Sequence, residues 1–500
     1  MALCMALHGT LHVVYFGFGF VLKAIKNSGR LPPSPWALLI VGHLHLLGPS
    51  LHHSFHKLST CYGPLMSICI GSVLGVVTSS PDVTKERLKT NDVTFAARNS
   101  SAAIECLTYN SSFAFAPNGP YWLFMKKLTT VELLGSRTLR QFLPIRTNKL
   151  HELIRFLFEK SKSGESVNIR DELLKFTNNI ISPMMLSIRC SGKGGQAEEC
   201  RTLAREVAEI FGEFKSFDIQ GFHRRFKDIH RRFDSLLENV ITNREKLRKE
   251  KKESEEKVKG LLDILLDCSG ESEFGDQVSV HLFRNIPFLY FGFPHSWHRY
   301  FIHDVQWALA ELINHPMVLQ KAQQEIDQVV GRNGPVQESY VPHLPYIQAI
   351  IKESFRIHPP IPLLNRRALE DCKIGNYISP KGTLLFVNLW SMGRVDPKIW
   401  KNPLEFQPER FLSQSNSEID VRGLHYQLLP FGIGRRGCPG LSLAMQELPT
   451  TLAAMIQCFN FKVTSPDGVV DMSERPQLSS PRARDLMCVP VARCPRNILN

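Results

Sequence analysis

The chain has 500 residues, 43% of them hydrophobic and 21% charged, with a formal net charge of +13. That apolar content supports a large buried core and excludes a wholly disordered chain. The charge alone admits nucleic acid, an anionic membrane surface or an acidic protein partner.

At ~150 residues per domain the length suggests about three units. No Gly/Ser-rich or Pro-rich linker and no solenoid-type repeat separates them, so residues 31–500 are read as one domain. The 12 cysteines, among them Cys61, Cys69, Cys106, Cys190 and Cys268, show neither zinc-site spacing nor the density of a disulfide scaffold. A reducing compartment is implied.

Residues 1–30 carry an apolar stretch, Leu11 to Leu22, followed by Lys23, Lys26 and Arg30. A spanning helix wants ~20 apolar residues, and His8, His12 and several glycines weaken this shorter one. Basic residues on its C-terminal side make it a retained anchor with the rest of the chain in the cytosol. The free-thiol pattern and the lack of a small-residue cleavage site disfavour a cleaved signal peptide. Pro32 to Pro35 then form a stiff spacer.

Next, Leu65 to Thr78 reads as two short strands around Gly71. Helical periodicity covers Gly119 to Phe158 and Asp171 to Glu213. The Lys/Arg run from Arg244 to Lys259 is interleaved with Glu245, Glu250, Glu253, Glu255 and Glu256, the pattern of a solvated helix end and linker. With no aromatic-plus-basic stripe, no nucleic-acid partner is expected. Val305 to Val330 reads as one helix stopped by Gly331-Arg332-Asn333-Gly334, and Leu344 to His358 as another, closed by Pro359-Pro360-Ile361-Pro362. Strands are expected at Cys372 to Ile378 and Leu384 to Asn388, and a last long helix from near Pro439. The sum is a mainly α chain with a small β region (α+β).

The chemistry concentrates in Phe431-Gly432-Ile433-Gly434-Arg435-Arg436-Gly437-Cys438-Pro439-Gly440. Glycines such as Gly432 let backbone approach a ligand closely, and Pro439 with Gly440 opens a helix whose N-terminus favours a negative sulfur. Cys438 is thereby expected to be a thiolate. A thiolate on haem iron favours O–O cleavage, with Phe431 shielding the sulfur and Arg435 neutralising a propionate. The plainer alternative is a buried cysteine in a Gly-rich turn.

This segment resembles the cysteine-loop signature of the cytochrome P450 family, and further motifs extend the resemblance over nearly the whole chain after Leu31. It implies the P450 fold, a haem b cofactor and Cys438 as axial iron ligand. Glu353, Arg356 and Arg410 resemble the family's buried Glu-Arg-Arg network, although Glu353 and Arg356 alone also fit a surface helix pair. Trp122 and Lys126 resemble a propionate-contacting pair, with a plain core tryptophan as the alternative, and Arg366 matches another propionate contact.

The resemblance also demands a central helix with an Ala-Gly-Thr-Asp-Thr-like groove where acid and hydroxyl deliver protons to oxygen. Tyr290 to Asp304 stands there instead, with Pro294 and no apolar stripe, a poor helix by pattern. Back-translated with permitted codons and read from the second nucleotide, it yields Ile-Leu-Asp-Phe-Leu-Thr-Ala-Gly-Thr-Asp-Thr-Ser-Ser-Met. Residues 290–304 are therefore read as out-of-frame, leaving the central helix corrupted, with Ser296 and Trp297 in the groove and Arg299 and Tyr300 replacing acid and hydroxyl. The alternative, metal binding by His295, His298 and His303, needs a helix that Pro294 opposes.

Leu107 to Phe115, Phe211 to Phe214, Val387 to Arg394 and His425 to Pro430 resemble the plant flavone synthase II and flavanone 2-hydroxylase branch. That resemblance implies oxidation of a flavanone at C2/C3 to a flavone or 2-hydroxyflavanone. Leu363, Leu364, Asn365, Leu478 and Ser479 would line the substrate. Isoflavonoid-forming relatives carry lysine where Asn365 stands, which favours oxidation without aryl migration. Leu123, and Ala96-Ala97 before Arg98, depart from the family pattern. No dinucleotide or flavin fingerprint is present, so an NADPH-cytochrome P450 reductase is expected to dock near Arg435 and Arg436 at the endoplasmic reticulum membrane. Two alternatives stand: a catalytically impaired product of a frameshifted gene model or allele, and a basic helical scaffold that binds nucleic acid or a membrane and no haem.

Overall fold

A computed structural model describes residues 31–98, 115–186, 206, 219–250, 259–269, 300–331, 334–374, 376–395, 399–413, 416–477, 479–495 and 498. The longer helices are α1 (Leu51–Tyr62), α2 (Pro120–Leu128), α3 (Ser136–Ser163), α4 (Ile169–Leu186), α5 (Ile219–Glu250) and α6 (Leu261–Ser269). After them come α7 (residues 300–314), α8 (Pro316–Val329), α9 (Pro345–Ile357) and α10 (Leu441–Cys458). Strands are β1 (Leu65–Ile70), β2 (Val73–Thr78), β3 (Val167–Asn168), β4 (Leu363–Arg367), β5 (Cys372–Ile374), β6 (Tyr377–Ser379), β7 (Leu384–Asn388), β8 (Phe459–Val463) and β9 (Met487–Ala492).

The main sheet runs β1-β2-β7-β4, with β1/β2 and β4/β7 antiparallel and β2/β7 parallel. Gly71, at φ +59, makes the turn between β1 and β2 in a conformation that costs glycine little. The largest core cluster lies among α3, α4, α7, α9 and α10, where α10 is buried along most of its length. Apolar residues recurring at helical spacing supply that burial, worth about 25 cal/mol per Å2 of apolar area removed from water.

Three expectations about elements change. The pattern over Val305 to Val330 is two helices, because Pro316 lacks an N–H and begins α8 as an N-terminal proline. Cys372 to Ile378 is a short antiparallel hairpin of β5 and β6 in place of one strand. Tyr300 to Asp304 are helical, extending the strongly apolar 305–314 pattern by five residues. The rest of the out-of-frame segment, 290–299, lies outside the described residues. So do residues 1–30, most of 187–218, the charged stretch 251–258 and Leu478. Among the described residues no helix is long and apolar enough to cross a membrane.

Candidate active site

The turn before α10 is built by its glycines. Gly432 and Gly434 sit at φ +65 and +70, and the Cys438 N–H donates to the Phe431 carbonyl at 2.9 Å. These bonds fold the turn around the sulfur, with Phe431 partly buried and set edge-on to Phe355 of α9. Cys438 is exposed by area, yet the protein around it desolvates the thiol. Burial raises its pKa, outweighing the Gly440 N–H, Arg98 and Lys126, which pull it down. The helix end alone does not outweigh that burial; an iron held by the sulfur would supply further stabilisation of the thiolate.

Four cations gather beside this turn. Arg436 is buried, donates to the carbonyls of Ala96 at 2.6 Å and Ala116 at 2.5 Å, and stacks its guanidinium 4.2 Å from the Trp122 ring. Arg366 is 2% exposed and donates to the Asn365 carbonyl at 3.1 Å. Lys126 lies 5.3 Å from the Trp122 ring and donates to the Arg435 carbonyl. Arg98 completes the group. Among the described residues Arg98 Nε, Arg366 Nη2 and Arg436 Nη1 are buried without a hydrogen-bond partner.

Electrostatics say the same. Burial, then the repulsion of Arg98 and Arg436, pushes Arg366 well below its ordinary pKa. Burial and Arg98 bring Arg436 down to about 10, and burial lowers Lys126 and Arg98. Buried like charges with orphaned donors call for an anion. One sulfur within electrostatic reach of Arg98, with buried guanidinium nitrogens lacking hydrogen-bond partners among the described residues, fits haem iron and its two carboxylates.

Arg435, expected to meet a propionate, points elsewhere. Its side chain is 43% exposed and lies 3.7 Å from Asp92, whose carboxylate also accepts from the Arg435 backbone N–H at 3.2 Å. The three-residue turn Gly434–Arg436 rotates neighbouring side chains apart, so Arg436 turns inward and Arg435 outward. Arg98 and Arg436 are the residues that sequence reasoning missed. For Arg436 the signal was local, a second arginine two positions before the cysteine; Arg98 had none.

Glu353, Arg356 and Arg410 come together, all buried. Arg356 grips Glu353 bidentately at 2.8 and 2.8 Å, and Arg410 Nε adds a bond at 2.9 Å. The remaining guanidinium nitrogens reach carbonyls of Pro403 at 2.6 Å, Lys401 at 2.7 Å, Glu405 at 3.0 Å and Gly393. The Gln407 N–H donates to Glu353 at 2.8 Å. A fully bonded buried triad locks α9 to the strand-poor stretch before the cysteine turn, and it is not a surface pair.

The candidate substrate residues divide. Strand β4 alternates, so Leu364 and Arg366 face the turn; a Cβ on Gly432 would lie 3.8 Å from Leu364 Cδ1 and 3.9 Å from Arg366 Nη2. Leu363 packs against the Phe55 and Phe386 cluster instead, and Asn365 shares that face of the strand. Three consecutive strand residues cannot line one wall. Ser479 is buried with its hydroxyl unpartnered among the described residues, next to Ser480, whose carbonyl accepts from the Trp307 indole at 3.1 Å.

Helix α7 is tied to the end of α9. His358 lies 2.6 Å from Glu311 and stacks on Trp307 at 3.9 Å. Against its burial, hydrogen bonds from His315 and His358 hold Glu311 at about 2, and burial lowers the His358 pKa against the pull of Glu311. Just upstream, Asp304 is buried, its Oδ1 lacks a partner among the described residues, and burial raises its carboxyl well above the ordinary value.

A family model described as Cytochrome P450 matches residues 32–489. Cytochrome P450 93B16 of Glycine max is 51% identical over 492 residues, covering 94% of this chain and 93% of that protein. A 2-hydroxyisoflavanone synthase of Glycyrrhiza echinata is 41% identical over 491 residues, covering 92% of each. Among solved structures, a zebra fish cytochrome P450 with abiraterone superposes with a TM-score of 0.73 at 26% identity, covering 88% of this chain and 99% of that one.

Proposed function

The chain belongs to the cytochrome P450 family, whose cofactor is haem b, and from that premise we propose that it oxidises a flavanone at C2/C3. The product is the flavone or the 2-hydroxyflavanone, and the electrons come from NADPH through a cytochrome P450 reductase. One observation carries the oxidase part: the Cys438 sulfur lies within electrostatic reach of Arg98 and Lys126, and Arg98, Arg366 and Arg436 each keep a buried nitrogen without a hydrogen-bond partner among the described residues. Kinship with a 2-hydroxyisoflavanone synthase supports the substrate class.

Bound through Cys438, the haem supplies oxygen activation, the thiolate's electron donation favouring O–O cleavage. Arg98, Arg366, Arg436 and Lys126 would hold its carboxylates by charge-assisted hydrogen bonds, and Phe431 would shield the sulfur from water. The Glu353, Arg356 and Arg410 triad keeps the turn and its cysteine in register. Exposed Arg435 adds positive charge for an acidic reductase surface. Membrane tethering at the endoplasmic reticulum is supported by the apolar run in residues 1–30. It is also supported by an exposed apolar patch just after the proline spacer, where Trp36 is 92% and Ile40 64% exposed.

A second reading is favoured by Asp304: the chain as written is catalytically impaired. A buried acid with an oxygen unpartnered among the described residues is what an out-of-frame stretch leaves in a core, and a selected core seldom keeps one. Expression of the chain as written and of a version with 290–304 translated in frame separates the readings. The in-frame protein should give the long-wavelength band when reduced under carbon monoxide and convert a flavanone, and the written chain little of either. An in-frame protein without the band sinks the haem-thiolate assignment; equal turnover by both sinks the second reading.

A further inference from the structure

Far along the sequence from the cysteine turn, helix α1 brings His52 and His53 against the chain near the C-terminus. His52 Nε2 lies 3.2 Å from Glu474 Oε2, and His53 Nε2 lies 3.4 Å from the same oxygen. The three donor atoms all fall within 4.8 Å of one another. Glu474 is aimed by its other oxygen, which accepts from the Trp390 indole at 3.1 Å and from Arg394 at 3.2 Å. Two rings therefore converge on one fixed carboxylate oxygen.

These spacings are long for an imidazolium–carboxylate hydrogen bond, which closes to about 2.7–2.9 Å. They match the edge of a tetrahedral site instead: bonds of about 2.0–2.2 Å to nitrogen and oxygen place neighbouring ligand atoms about 3.3 Å apart. We propose that His52, His53 and Glu474 form a site for one divalent transition-metal ion of the zinc class, which fastens α1 to the segment running from Glu474 to Ser480. The second shell is already built. Trp390 and Arg394 orient the carboxylate, and the His52 carbonyl accepts from Asn388 at 2.9 Å, anchoring the first turn of α1 to the main sheet. Ser480 Oγ stands 3.4 Å from His52 Nε2 as a further oxygen on the buried side. His53, whose side chain is 44% exposed, opens the fourth position to solvent.

Arg394 keeps the local charge from becoming strongly negative, which favours a borderline cation with nitrogen affinity over calcium or magnesium.

The test uses the full-length protein, stripped with a chelator and then dialysed against zinc ions alone. Zinc per chain is measured by atomic spectrometry after desalting, and the thermal midpoint is recorded with and without the ion. One retained zinc per chain and a raised midpoint are expected. His53→Ala should weaken retention at least tenfold with an unchanged circular-dichroism spectrum. His56→Ala should keep it, because His56 Nδ1 is engaged at 3.1 Å with Ser391. No zinc retained, or equal retention by His53→Ala, overturns the site.

Discussion

Replacing Asp304 with asparagine asks whether α7 carries a misplaced acid. Its carboxyl is buried, lacks a partner for Oδ1 among the described residues, and is raised well above the ordinary value by desolvation. A carboxyl whose folded-state pKa is raised keeps a proton that the unfolded chain surrenders above about pH 3.9. The folded state is then least penalised below that pH and loses stability as pH climbs toward the folded value, by up to about 1.4 kcal/mol per unit. One such unit is already an appreciable share of the ~5–15 kcal/mol that separates folded from unfolded states. Asparagine has nearly the same shape and nothing to titrate. Guanidinium unfolding followed by circular dichroism across the mildly acidic to neutral range should show Asp304→Asn gaining on the parent by about 1 kcal/mol per unit, then levelling. A difference that is constant with pH would refute the argument, because it would mean that the carboxyl is solvated.

Glu353→Ala strips two buried guanidiniums of their anion and should cost about 3–5 kcal/mol, read as a lower denaturation midpoint and a lower haem-to-protein ratio. Gly393→Ala would put a Cβ 2.1 Å from the Arg356 carbonyl oxygen and should cost about 1–3 kcal/mol by the same midpoint. Arg436→Leu should lower the haem-to-protein ratio several-fold while Arg435→Ala leaves it unchanged; equal effects would erase the distinction between inward and outward arginine.

Much of the architecture was legible because it is local. Alternation around Gly71 marks β1 and β2, and Leu344 to His358 becomes α9 within a residue or so at each end. The cysteine turn was legible because glycines, arginines and a cysteine in ten positions leave few other readings. What failed was orientation. Composition cannot tell which of Arg435 and Arg436 turns inward, since a one-residue step in a tight turn reverses the answer. Strand alternation, by contrast, was available and argued against grouping Leu363 to Asn365 on one wall. Arg98, or a carboxylate at 474 beside imidazoles at 52 and 53, has no signature, because only the closed fold makes them neighbours.

The pairing of Gly75 to Thr78 with Leu384 to Val387 has a consequence for biosynthesis. The β1-β2 hairpin is made early by the ribosome, yet the strand that covers its open edge arrives some three hundred residues later, and the cysteine turn later still. A nascent chain therefore carries an unpaired apolar edge through most of its synthesis, which invites chaperone capture or aggregation. Haem insertion becomes a late event that rewards chains already closed, so slow folding at low temperature should raise the yield of loaded protein more than added haem precursor does.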